Sequence, residues 1–302
     1  MGETEFQKMS HHYVTSIILA LLLMPFASNL SAEPPSYDGV KDAAETIDFQ
    51  TPKHGRALGD SLTGLLYRPD GEGPFPAIVA LHGAGGIFPY QLWWARYLSQ
   101  QGYVVLMVDS YCKRGVLCEH SSGDDDPARG RVMRNWDRIP VPQRVADAYG
   151  ALDHLKSLSY VEGDKIGVVG WSWGGSAALY ALNLEKRLRV SSTFAGAVAF
   201  YPNYKYMTRS RHWGGYKISK PVLILYGKDD VLESTESYAE ALNAAVPAVI
   251  VAYDGGVRKF DEVGEPRMKE HPKVGSFPKA FLEPAFRDSM GQVQRFFLEL
   301  FK

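Results

Sequence analysis

The hexapeptide Gly170-Trp171-Ser172-Trp173-Gly174-Gly175 constrains this chain more than any other stretch. It fits the pattern G-x-S-x-G, and its flanks suit that pattern: Lys165 to Val169 reads as a buried strand and Ser176 to Leu182 as the helix that follows. A strand that turns sharply into a helix through one serine needs glycine on both sides, because only glycine tolerates so close an approach of the two elements. The serine then occupies a strained turn with its Oγ held clear of the sheet, near the positive end of a helix dipole.

A serine hydroxyl is a weak nucleophile at neutral pH and needs a base and an acid, which in this topology come after it in the order Ser, Asp/Glu, His. Pro221 to Tyr226 is a second apolar strand and ends in Gly227-Lys228-Asp229-Asp230, so a carboxylate stands at a strand's C-terminal end. The next strand, Ala248 to Tyr253, leads into Asp254-Gly255-Gly256-Val257-Arg258-Lys259-Phe260. That loop should carry the imidazole, and it contains no histidine.

Elsewhere the apolar pattern alternates between two periods. Glu45 to Phe49 and Leu62 to Tyr67 are short alternating runs suited to half-exposed strands at an antiparallel edge. Ala77 to Leu81 and Val104 to Val108 are continuous apolar runs of the kind that parallel strands show when both faces are covered. Helical spacing marks Gln91 to Gln101, Val141 to Leu158, Ser234 to Ala245 and Phe286 to Phe301, and Phe194 to Tyr201 reads as a further sheet element. The period predicts a mostly parallel sheet with helices on both faces. Two long connections, Ser110 to Pro140 and Asn203 to Lys220, leave strand ends on the side where such sheets bind ligands and should roof the pocket.

The 302 residues can form one substantial core, and no repeat, long linker or low-complexity tract divides them. A formal net charge of -1 gives no broad attraction for nucleic acid or anionic lipid, so a small molecule is the expected partner. Residues 1–32 read as a secretory signal: basic residues, a short apolar run from Val14 to Met24, then Pro25 and small residues before Ala32. The run is shorter than the roughly 18 apolar residues of a membrane span. A retained anchor is the alternative to cleavage after Ala32, and a start at Met9 would remove the acidic Glu3 and Glu5 from the signal. Residues 33–302 are then one domain, secreted or periplasmic, without stable membrane association. Export would put the only two cysteines, Cys112 and Cys118, in an oxidising compartment, where a local disulfide and two reduced thiols are both open. No cofactor motif is evident, and the scattered histidines lack the spacing of a metal site.

These motifs together resemble the dienelactone hydrolase family of the α/β-hydrolase fold from about Ala44 to Phe301. The likeness rests on Leu81-His82-Gly83-Ala84-Gly85-Gly86, Asp109-Ser110-Tyr111, the elbow at Ser172 and Tyr226-Gly227-Lys228-Asp229-Asp230. It implies an α/β-hydrolase fold with an antiparallel N-terminal edge, and hydrolysis of small carboxylic esters or lactones through a serine acyl-enzyme. It implies Ser172 as nucleophile, Asp230 as acid, and the backbone N–H groups of Trp173 and Ala84 as an oxyanion hole. Arg114 resembles the family's receptor for a substrate carboxylate, and Trp171 beside the nucleophile is expected to line the substrate pocket. His82 is expected to hold backbone near its turn.

One departure is chemical. Where the family reads Tyr-x-Gly-x-x-His-x-Phe, this chain has Arg258 in the histidine's place, and an arginine stays protonated and cannot accept the serine proton. His271, thirteen positions further on in a Gly/Pro-punctuated segment, is the expected substitute, with His212 and His120 behind it. His154 and His54 are expected bystanders. The alternative is a hydrolase-fold binding protein that holds a ligand without turning it over.

Overall fold

The computed structural model describes residues 36–52, 59–118, 139–188, 192–203, 220–231, 248–271 and 275–302, with backbone alone for 183–188, 270 and 271. The expected signal in residues 1–32, the helix expected at Ser234 to Ala245, most of the two roofing connections, and His54, His120 and His212 lie outside these residues.

Eight strands form one sheet in the order β1-β2-β4-β3-β5-β6-β7-β8: β1 Glu45–Gln50, β2 Ser61–Tyr67, β3 Phe75–Leu81, β4 Val104–Asp109, β5 Val161–Trp171, β6 Ala197–Phe200, β7 Val222–Gly227 and β8 Ala248–Tyr253. β2 runs antiparallel to both β1 and β4, and every other pairing is parallel. The residue types account for this. β4 and β7 are buried along their whole length, as strands covered on both faces must be, whereas β1 hides only Phe49 and partly Ile47. The antiparallel edge expected from the alternating runs is therefore where the sheet begins.

Helices α1 Pro89–Gln100 and α4 Glu283–Leu300 pack together on one face, Trp93 and Trp94 meeting Phe286 at 5.3 and 5.8 Å. Helices α2 Val141–Ser157 and α3 Trp173–Leu188 cover the other, joined where Tyr149 donates to the Ala181 carbonyl at 2.9 Å. α4 turns Met290, Val293 and Phe297 inward, as its spacing predicts. Pro89 opens α1 where a missing N–H costs nothing, and the Gln91 side chain takes the Phe88 N–H at 3.0 Å. Buried side chains from Val40 to Phe301 form one contiguous core across both layers.

One element differs from expectation. The connection after β8 contains an antiparallel hairpin, β9 Arg267–His271 with β10 Gly275–Lys279. Its strands carry charged residues, so no apolar alternation announces them. A single parallel bridge between Arg258 and Lys279 ties the hairpin to the loop that leaves β8.

Candidate active site

β5 ends at Trp171 and α3 begins at Trp173, which leaves Ser172 alone at the corner with a left-handed φ of 55°. A non-glycine residue there costs on the order of 1–3 kcal/mol and persists only where its surroundings over-determine it. The surroundings do so: Ser172 N–H donates to Phe200 O on β6 at 2.9 Å, and Ser176 N–H returns to Ser172 O at 3.0 Å. A Cβ on Gly174 would lie 2.1 Å from the Leu81 carbonyl oxygen, so the first turn of α3 meets the end of β3 at a distance only glycine permits. Ser172 itself is partly exposed.

The acid and the group in the base position come from the ends of β7 and β8. Asp230 lies in the turn after β7, where its N–H bonds Gly227 O at 3.2 Å, and its side chain is fully buried. Arg258 Nη1 donates to Asp230 Oδ2 at 2.9 Å, and Nη2 donates to Ser172 Oγ at 2.8 Å and to Tyr201 O at 3.2 Å. Asp230, Arg258 and Ser172 are thus in line, with a guanidinium in the position of an imidazole. That cation cannot take the Oγ proton, but it does stabilise negative charge on Oγ.

Of His271, the expected base, only the backbone lies among the described residues. His271 ends β9 opposite Gly275, while Arg267 and Lys279 sit at the end of the hairpin tied to Arg258. The group that meets Ser172 Oγ is the Arg258 side chain.

The residues expected to supply the oxyanion donors lie close to the serine. Trp173 opens α3, at the positive end of its dipole. The turn carrying Ala84 lies across from it: a Cβ on Gly83 would be 3.6 Å from Ser172 Cβ. His82 is fully buried behind this turn, Nδ1–H donating to Gly83 O at 2.7 Å and Nε2 accepting Ser110 N–H at 3.3 Å, which makes it the neutral Nδ1–H form. His82 thus holds backbone, as expected.

Two other expected site residues are engaged within the fold. Arg114 Nε and Nη2 donate to Asp60 Oδ2 at 2.9 and 2.6 Å, Nη1 and Nη2 to Asp147 at 2.8 and 2.7 Å, and Nη1 to Ser110 O at 2.8 Å. Every N–H of the guanidinium is engaged, so it pins the end of β4 to α2. Trp171 is fully buried, its indole stacked on Phe200 with centroids 5.5 Å apart, and so presents no face to a pocket. Beside Arg114, Cys112 and Cys118 are joined as a disulfide with Cα atoms 4.4 Å apart.

Sequence reasoning missed Asp261. Buried just past Arg258, it accepts the indole N–H groups of Trp94 and Trp171 on Oδ2 at 3.1 and 3.0 Å, and the Tyr201 hydroxyl on Oδ1 at 2.8 Å. Burial pushes its carboxyl up to about 6, against the Tyr201 and Trp171 donors that favour its charged form. It ties the residue before Ser172, the end of β6 and the Arg258 loop into one unit. Among the described residues there is no group of three or more His, Cys, Asp or Glu able to hold a metal ion, and no helix long and apolar enough to cross a membrane.

Comparison with known proteins bears on the family and the fold. The chain is 26% identical over 217 residues to a Yersinia pestis protein named "Putative carboxymethylenebutenolidase", covering 67% of this chain and 75% of that one. Its fold is similar to that of a dienelactone hydrolase-like promiscuous phosphotriesterase from metagenomic libraries, with TM-score 0.63 and 20% identity over 86% of this chain and all of the other. Thermogutta terrifontis esterase 2, in a structure phosphorylated by paraoxon, superposes with TM-score 0.56 and 19% identity over 90% of this chain and 98% of that one. Residues 62–274 match the dienelactone hydrolase family as a whole, and the chain belongs to that family of hydrolases.

Proposed function

We propose that this protein is a serine hydrolase of small carboxylic esters or lactones that is acylated at Ser172 and, with Arg258 in the base position, releases its acyl group slowly. The observation that carries the reading is the Ser172 corner itself, a left-handed serine at the N-terminus of α3, across from the Gly83-Ala84 turn and within 2.8 Å of a cation. Oγ attacks the carbonyl carbon, its proton passes to solvent hydroxide, and Arg258 stabilises the alkoxide in place of an imidazole drawing off the proton. The leaving alkoxide departs unassisted, which restricts the reaction to activated esters and strained lactones. Water must then attack the acyl-enzyme without a base to deprotonate it, so the second half-reaction is the slower.

A second reading, a pocket that binds a ligand without turnover, draws on the same Arg258 to Ser172 contact. Fluorophosphonate labelling separates the two. The acylating enzyme gains one adduct, lost in Ser172→Ala; an unlabelled wild-type protein would leave the binding reading. Export to an oxidising compartment belongs to the same proposal, and the Cys112 to Cys118 disulfide supports it.

A further inference from the structure

The turn that borders Ser172 is held by three side chains, one on each of three successive carbonyls. Arg144 Nη2 donates to His82 O at 2.5 Å, His82 Nδ1 to Gly83 O at 2.7 Å, and the Tyr111 hydroxyl to Ala84 O at 2.9 Å. The three touch one another: the His82 and Tyr111 rings meet edge-on at 4.5 Å, and the Arg144 guanidinium carbon lies 5.7 Å from the Tyr111 ring centre. All three are buried to 1% exposure or less.

Peptide planarity makes this arrangement directional. Each carbonyl that points back at its anchor turns the N–H of the next residue the opposite way, so the amides of Gly83, Ala84 and Gly85 face away from the anchors. Gly83 is the residue that borders Ser172 there.

Arg144 is the costly member. It lies fully buried on α2, its Nε and Nη1 without a hydrogen-bond acceptor among the described residues, and burial lowers its pKa. Its neighbour Asp147 is committed to Arg114. An apolar side chain of similar length would avoid both a buried charge and two unpaired donors. A fold that needed only packing at this point has no use for the cation.

We infer that Tyr111 and Arg144 are positioning residues for the Ser172 site, fixing the carbonyls of the His82-Gly83-Ala84 turn so that its amides stay aimed at the oxyanion formed during acylation. This rests on the Ser172 reading above for its chemistry, though not for its geometry. Donors aimed in advance at developing charge lower the barrier without reorganising during reaction, whereas a wandering turn loses that advantage.

Tyr111→Phe deletes one hydroxyl and keeps the ring; Arg144→Met deletes the charge; Arg144→Lys keeps one donor for His82 O. Two readouts are taken on each full-length variant: backbone amide order parameters at Gly83 and Ala84, and the kinetics of inactivation by a fluorophosphonate. In Tyr111→Phe and Arg144→Met the order parameters fall from about 0.85 toward 0.6. Maximal inactivation slows about tenfold with the probe's half-saturating concentration unchanged, and Arg144→Lys recovers most of the rate. Melting temperatures stay within a few degrees of wild type. Order parameters unchanged in both variants would overturn the inference, as would a loss confined to probe binding. If wild type is not labelled while the order parameters still fall, the anchoring stands and the Ser172 chemistry fails.

Discussion

Arg258 Nη2 stands 2.8 Å from Ser172 Oγ, and Nη1 of the same guanidinium stands 2.9 Å from Asp230 Oδ2. The cation bridges the two groups that a neutral imidazole would connect. In the proposed acylation this divides the labour: charge on the serine oxygen is favoured, while removal of its proton is left to solvent.

Restoring the imidazole should therefore raise turnover. Arg258→His places an acceptor between Asp230 and Ser172, and general-base assistance is worth roughly 10²- to 10⁴-fold. Hydrolysis of p-nitrophenyl acetate should rise by about two orders of magnitude. Unchanged or lower turnover in a folded Arg258→His protein would mean that the missing proton acceptor is not what limits the native site.

The same arrangement sets the pH dependence of acylation. Arginine stays protonated across the working range, so no base in the site titrates near neutrality. The acylation rate should climb with hydroxide from about pH 6 to 9 in wild type and level off above roughly 6.5 to 7 in Arg258→His. A plateau in the wild-type profile near neutral pH would reveal an unassigned histidine.

Asp261 gives stability its own pH signature. Its folded-state value, about 6, is raised above the ordinary 3.8, so the native state holds this proton more tightly than the unfolded chain does. The contribution is complete below about pH 4 and is lost as pH rises through 6, on the order of 3 kcal/mol in total. Urea unfolding at pH 4.5 and 7.5 should show that slope reduced in Asp261→Asn. An equal slope in both proteins would remove Asp261 as its source.

Arg114 predicts a stability effect in place of a substrate effect. Arg114→Met leaves Asp147, whose side chain is fully buried, without its cation, and breaking a buried pair costs about 3–5 kcal/mol. Denaturation should register that loss. Among variants that still fold, KM for a carboxylate-bearing ester should change no more than KM for its neutral methyl analogue. A selective rise for the charged ester would return Arg114 to the pocket.

The elbow should reject even one methyl group. Gly174→Ala would force a Cβ to 2.1 Å from Leu81 O, and backbone cannot yield as a flexible side chain does. A loss of more than about 3 kcal/mol in denaturation is expected; a well-folded Gly174→Ala protein would mean that α3 can back away from β3.

How much of this is legible in the sequence depends on how far each feature reaches. β3, β4 and β7 announce themselves because burial on both faces demands an unbroken apolar run, and the elbow because strand, serine and helix are contiguous. Arg258 is conspicuous as the wrong residue type in a local pattern. The partners of Asp261, by contrast, stand 167, 90 and 60 positions away along the chain, and those of Arg114 54 and 33 away. No local spacing encodes such meetings, so a local reading sends Trp171 and Arg114 to a pocket although each is committed to a buried carboxylate. The β9 and β10 hairpin is hidden for another reason: its strands lean on charged side chains and carry no alternation to detect.

Acylation at Ser172 is read most directly by a rapid-mixing time course with p-nitrophenyl acetate, paired with intact mass. The expected record is a burst of about one nitrophenolate per protein, then a slow steady phase, with an acetyl group on Ser172 that persists between the two and is absent in Ser172→Ala. Release that is linear from the first moment, with no acetylated protein at any time, would refute a slowly deacylating serine enzyme.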